Sequence, residues 1–127
     1  MLQVLLVGLG GFMGAVLRYV VGGIVQSFVK DGVFPAGTLI VNLLGCFIIG
    51  LLAQFAETRD WLTPQSGSFI FVGLLGAFTT FSTFSNDSMN FFRQGDSLSG
   101  VFYVGVHVLL GLAFVWGGRS LAAQIWQ

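Results

Sequence analysis

Charge is what this sequence has least of. Of 127 residues, five are Lys or Arg and five are Asp or Glu, so charged residues make up 8% and the formal net charge is zero. That scarcity excludes both a basic footprint for nucleic acid and a polyanionic tail. A single cysteine, Cys46, and a single histidine, His107, exclude a disulfide framework or a multi-ligand metal cluster within one chain. So few polar side chains cannot cover a water-facing surface. With 55% hydrophobic residues and a mean hydropathy of +0.91, the chain reads as an integral membrane protein partnered by the lipid bilayer. No Lys or Arg precedes Arg18, so the N-terminal apolar run lacks the charged start of a signal peptide and is read as a retained span.

What is present in abundance is apolar sequence of bilayer-crossing length. Four stretches qualify, Leu2 to Val29, Gly37 to Ala56, Ser68 to Phe92 and Leu98 to Trp126, each meeting the ~20 residues a membrane helix needs. The expected fold is a single all-α domain over residues 1–127 with four transmembrane helices. The connections hold nearly all the punctuation and charge: Lys30 to Pro35, Glu57 to Gly67 with Pro64, and Arg93 to Ser97. Gly10 with Gly14, Gly45 with Gly50, and Gly73 with Gly76 are spaced for close helix approach.

The charges flanking the spans do not choose an orientation. If the spans alternate, Arg59 and Arg119 share one side and Lys30 and Arg93 the other. Positive-inside bias needs an excess, and only Arg18 could break this tie. Two readings stay open: a topology fixed by Arg18 or a partner, and dual insertion giving an antiparallel homodimer with a site at the membrane midplane.

The third span carries the chemistry. Phe78 to Ser85 sets five hydroxyls and three phenyl rings in eight residues. Lipid cannot hydrogen-bond such groups, so they must face protein or a wet path. Short hydroxyl side chains also compete with helical hydrogen bonds, and two glycines lie just before them, so the third helix should break at its centre. Backbone carbonyls freed there suit a cation, and freed amides suit an anion. Asp87 should then sit in the first turn of a second half-helix, complementing its dipole. Phe78, Phe81 and Phe84 repeat every three residues, which serves packing or offers positive ring edges to an anion.

Other spans add sparse polar groups. Thr38 and Asn42 are four apart on one face of the second span, with Gly45 continuing it. The Asn42 amide can donate twice, to a neighbouring helix or to a ligand. Tyr103, His107 and Gly111 form a second stripe on the fourth span, with His107 either satisfied internally, meeting an ion as part of the pore lining, or carrying a proton. Arg18 lies about 24 Å along the first helix from Leu2, either snorkelling to the far interface or lining a wet cavity. Otherwise the span interiors offer neutral donors, an arrangement suited to a small, strongly accepting anion.

Gly37 to Gly45 (Gly-Thr-Leu-Ile-Val-Asn-Leu-Leu-Gly), Gly76 to Ser85 (Gly-Ala-Phe-Thr-Thr-Phe-Ser-Thr-Phe-Ser) and Gly10 to Tyr19 (Gly-Gly-Phe-Met-Gly-Ala-Val-Leu-Arg-Tyr) together resemble the Fluc (CrcB) fluoride channels, and the similarity runs through essentially the whole chain. The resemblance implies a passive fluoride-selective channel in a bacterial inner membrane, exporting toxic cytoplasmic fluoride. It implies a dual-topology antiparallel homodimer with two pores, and a central structural sodium ion held by backbone carbonyls that map to Gly76 and Thr79. It assigns Phe81 and Phe84 as pore-lining rings, Asn42 as a fluoride donor, and Thr38, Ser82, Thr83 and Tyr103 to the polar lining, and Arg18 matches its first-span arginine. The chain departs from the pattern at Gly76-Ala77-Phe78, at Asp87 where Glu is common, and at His107 and Gly111, which replace hydroxyls beyond Tyr103.

No nucleophile–base pair or nucleotide loop is present, so an enzyme is not expected. A small multidrug exporter would resemble this chain in size but uses a first-span carboxylate, and Met1 to Val29 contains none. A proton-coupled fluoride exchanger would use His107 as its carrier. A noncatalytic membrane subunit would use the same polar residues only to join helices.

Overall fold

A computed structural model describes residues 1–29, 34–58 and 62–125. Lys30 and Arg59, half of the charge tally above, lie outside the described residues, as does Trp126. Helix α1 covers Leu2–Ser27 and α2 covers Ala36–Thr58. The third span starts as a short turn, α3 (Pro64–Gly67), winds as a π-helix over Ser68–Leu75, closes with α4 (Gly76–Phe78), and resumes as α5 (Phe81–Arg93). Helix α6 spans Ser97–Ile125. Among the described residues, four crossings of sufficient length and hydropathy result, at Leu2–Ser27, Ala36–Thr58, Pro64–Arg93 and Ser97–Ile125.

Local chemistry sets the boundaries. Pro64 occupies the first turn of α3, where its missing N–H costs nothing. Thr63 and Ser66 close a reciprocal capping box there, Ser66 N donating to Thr63 Oγ1 at 3.1 Å and Thr63 N to Ser66 Oγ at 3.0 Å. The third and fourth spans are joined by a tight reversal. Gly95, at φ +81°, supplies the left-handed residue, while Gly95 N and Asp96 N donate back to Phe92 O and Phe91 O. Asp96 then accepts from Ser99 N at 3.1 Å, opening α6.

Glycine permits the tightest helix contacts. A Cβ on Gly10 or Gly14 would strike the Phe69 or Leu74 carbonyl, so α1 lies directly on the first half of the third span. Gly50 and Gly118 do the same between α2 and α6, facing the backbones of Val115 and Phe47. The expected pairing of Gly73 with Gly76 holds only for Gly73, because the nearest atom to a Cβ on Gly76 would be Phe71 O at 3.6 Å. At one end the α2–α6 pair is tied by Arg119, whose Nη2 meets Glu57 Oε2 at 2.7 Å.

Candidate functional site

The third helix breaks where the hydroxyl-rich run begins. Thr79 (φ −85°, ψ 159°) and Thr80 (φ −149°, ψ 115°) are both extended between α4 and α5. Thr79 still donates its N–H to Leu75 O at 3.1 Å, and its Oγ1 bonds the same carbonyl at 3.0 Å. Thr80 leaves the helical pattern entirely. Its N–H goes to Asn42 Oδ1 at 2.8 Å, and Asn42 Nδ2 donates to Thr80 O at 3.1 Å. One amide on α2 therefore satisfies both backbone groups of the extended residue, which otherwise stand unpaired at membrane depth. Diverting the Thr80 N–H also deprives the Gly76 carbonyl of its ordinary i+4 donor.

The second half-helix starts from Thr80. Its Oγ1 accepts from Thr83 N at 3.2 Å and lies 3.0 Å from Thr83 Oγ1 and 3.3 Å from Ser82 Oγ. This placement corrects the expectation for Asp87. With Thr80 as the cap, Asp87 falls in the second turn of α5 rather than the first. It faces inward instead of serving the helix dipole, and Tyr103 Oη approaches Asp87 Oδ2 at 3.5 Å.

The break also separates the three rings. Phe78 is buried before it, whereas Phe81 is 79% exposed just beyond it. Phe81 and Phe84 stay together, with centroids 5.6 Å apart. Phe84 continues to His107 at 4.4 Å, and His107 stands edge-on to Tyr103 at 4.4 Å. Tyr103 is wholly buried, its hydroxyl donating to Pro35 O at 3.3 Å.

Two cavities meet at the break. One of about 390 Å³ is lined by Asn42, Gly76, Thr79, Thr80, Phe81, Phe84 and His107 among others. A second of about 310 Å³ is lined by Arg18, Gln26, Thr38, Thr80 and Thr83 with neighbouring residues. Thr80 contributes to both. Nearly all the residues singled out in the sequence thus gather around one broken helix, in two groups. Ser82 lines neither cavity and is exposed on α5, and Tyr103 stands behind the first. Arg18 is half-buried against the second cavity.

The sequence reading counts Thr80 among the hydroxyls that interrupt the helix but gives it no place in the site, where it caps α5, is extended and is clamped by Asn42. The only local signal of that role is a Thr three residues ahead of Thr83 after two glycines. The sequence reading also passed over Gln26, whose Nε2 donates to Phe34 O at 3.0 Å and whose Oε1 accepts from Gly37 N at 3.1 Å, closing the α1–α2 connection. Among the described residues no group of three or more His, Cys, Asp or Glu side chains is placed to hold a metal. The freed carbonyls at the break are hard oxygen donors, and their chemistry fits a hard cation of low charge.

Comparison with known proteins finds relatives along nearly the whole chain. Residues 5–119 match the family model described as CrcB-like protein, Camphor Resistance (CrcB). Several bacterial proteins are similar over nearly the full length. One from Dehalococcoides mccartyi is 41% identical over 125 residues, 98% of this chain and 95% of the relative. Others from Nitratidesulfovibrio vulgaris (42% over 118 residues, 93% and 94%) and Shewanella pealeana (43% over 119 residues, 94% and 94%) are comparable. All three relatives bear the name fluoride-specific ion channel FluC.

Proposed function

Because this chain belongs to the CrcB family, a group of multi-pass membrane proteins rather than enzymes, we propose that it is a passive fluoride-selective channel that lets the cell release fluoride down its electrochemical gradient. The observation that carries the reading is the break at Thr79–Thr80, which sets hydroxyls, an amide and two phenyl rings around two cavities beside the interrupted membrane span. Stripping a small anion of water costs tens of kcal/mol in a low-dielectric medium, so transfer requires a relay of donors, none of which binds too tightly. Arg18, beside Thr38 and Thr83, concentrates anions at one cavity. The second Nδ2 hydrogen of Asn42, beyond the one bound to Thr80, is the amide donor for the ion. Phe81 and Phe84 offer ring edges, and the Ser82 and Thr83 hydroxyls extend the donor path.

The finer reading is an antiparallel homodimer with two pores. Its support is that α5 leaves Ser82, Thr83, Asn86 and Asn90 exposed in a single chain, and hydrocarbon is a poor environment for four polar side chains. An inverted copy would cover them. The carbonyls of Gly76, an exposed residue, and of Thr79, a half-buried one, would together with their counterparts hold a sodium ion. Bound there, sodium would supply a fixed positive charge opposite those oxygens.

Fluoride-electrode efflux from proteoliposomes tests the channel reading. Native protein should empty the vesicles of fluoride; Asn42→Ala should slow efflux at least about tenfold, the rate equivalent of one lost hydrogen bond to a charged ion, and Phe81→Ile should slow it by removing an aromatic edge. A native protein that passes no fluoride overturns it. Exchanging sodium for a bulky organic cation should lower the thermal midpoint of the purified protein, whereas an unchanged midpoint argues against the ion site.

A further inference from the structure

His107 is the single histidine of this chain, and its two ring nitrogens stand in opposite situations. Nδ1 lies 3.1 Å from the Tyr103 carbonyl on the preceding turn of α6. A carbonyl only accepts, so the neutral ring keeps its proton on Nδ1 and carries a lone pair on Nε2. Nε2 is buried and has no hydrogen-bond partner among the described residues. The ring lines the larger cavity with Asn42 and Thr80 and sits 4.4 Å from Phe84, centroid to centroid.

An orphaned acceptor is the wrong group for an anion's path. The lone pair presents negative potential where ring edges and hydroxyls otherwise present positive, and an unpaired buried acceptor is itself unfavourable. One proton reverses both defects. The imidazolium Nε2–H is a donor, and a charge-assisted one. Resting on the fluoride reading, we propose that His107 is a proton-dependent fluoride donor, so that the chain conducts poorly with the ring neutral and well with it protonated. The step is reversible binding: a solvent proton adds to Nε2, fluoride accepts a hydrogen bond from it, and the ion moves on.

Burial opposes such a charge, whereas the Tyr103 carbonyl and, on α5, the Asp87 carboxylate favour it. On α6 itself the neighbour is Tyr103, and α2 contributes Asn42 and Cys46 to the same cavity. The segment before the break contributes Thr79 and Thr80, which do not titrate. Among the described residues α1, with Arg18, does not pack on α6.

The test reads fluoride efflux from proteoliposomes across mildly alkaline to mildly acidic pH, with protein-free vesicles subtracted to remove leakage of neutral hydrogen fluoride. Native flux should rise as pH falls, by up to about tenfold per unit while the ring is mostly neutral. His107→Gln, a donor at every pH, should be flat and should exceed native flux at alkaline pH. In parallel, 15N-histidine NMR of native protein reports only this ring. Because coupling is reciprocal, fluoride but not chloride should move its titration to higher pH. Native flux that is present but independent of pH, a Gln variant with the native slope, or a titration indifferent to fluoride each overturns the proposal, and each leaves the channel reading standing. Absence of flux from every form overturns both.

Discussion

At the residue scale, Asn42 is the most constrained polar side chain of the bundle, because it answers both the N–H and the C=O of Thr80. Asn42→Leu keeps the volume but leaves two backbone groups unpaired, at about 1–3 kcal/mol for each. The detergent-solubilised protein should therefore melt well below the native chain, as followed by circular dichroism. That an amide stood on one face of the second span was legible from sequence. Its partner, 38 positions away, was not, because only the tertiary approach of α2 to the break brings the two together. Asp87 shows the same limit: moving the helix start to Thr80 was enough to turn it from a dipole partner into a neighbour of Tyr103.

At the scale of elements, the third span was the best-read part of the molecule. Competition from Thr79 and Thr80 for backbone hydrogen bonds located the interruption, since such competition is local. The π-helical winding of Ser68–Leu75 leaves no comparable trace, for its residues are as apolar as those of any α-helical span. The start of α6 yields a pH prediction. Hydrogen bonds from Ser99, chiefly from its side chain and then its backbone, hold the Asp96 carboxyl below the usual carboxylate range. Its stabilising effect is present above the unfolded value and is lost as pH falls through the lowered folded one. Protection of the Ser99 amide from hydrogen exchange, taken relative to its intrinsic rate at each pH, should fall on acidification through that interval. The Asp96→Ala variant should be weakly protected throughout and show no such step.

For the whole molecule, hydropathy delivered the number of crossings and nearly their ends, because bilayer thickness fixes helix length. It could not say which helices pair, since every span is apolar on most sides. That choice is made by sterics, in which Gly50 and Gly118 let α2 and α6 touch along their backbones. Gly50→Val forces the pair apart and should cost about 1–3 kcal/mol as an overpacked contact, seen as a lower midpoint or loss of the folded peak in size-exclusion chromatography. An unaltered midpoint would show that the α2–α6 seam has more give than its geometry implies.

The loosely wound stretch before the break has a consequence for how this chain tolerates change. Wide turns of the π type hold one residue more per loop than an α-helix needs, so the segment Ser68–Leu75 stores slack. Deleting a single residue there can be absorbed by tightening the coil. The same deletion in α5 would swing every downstream hydroxyl to a new bearing. Length variation in this membrane crossing is therefore buffered on one side of the gap and forbidden on the other.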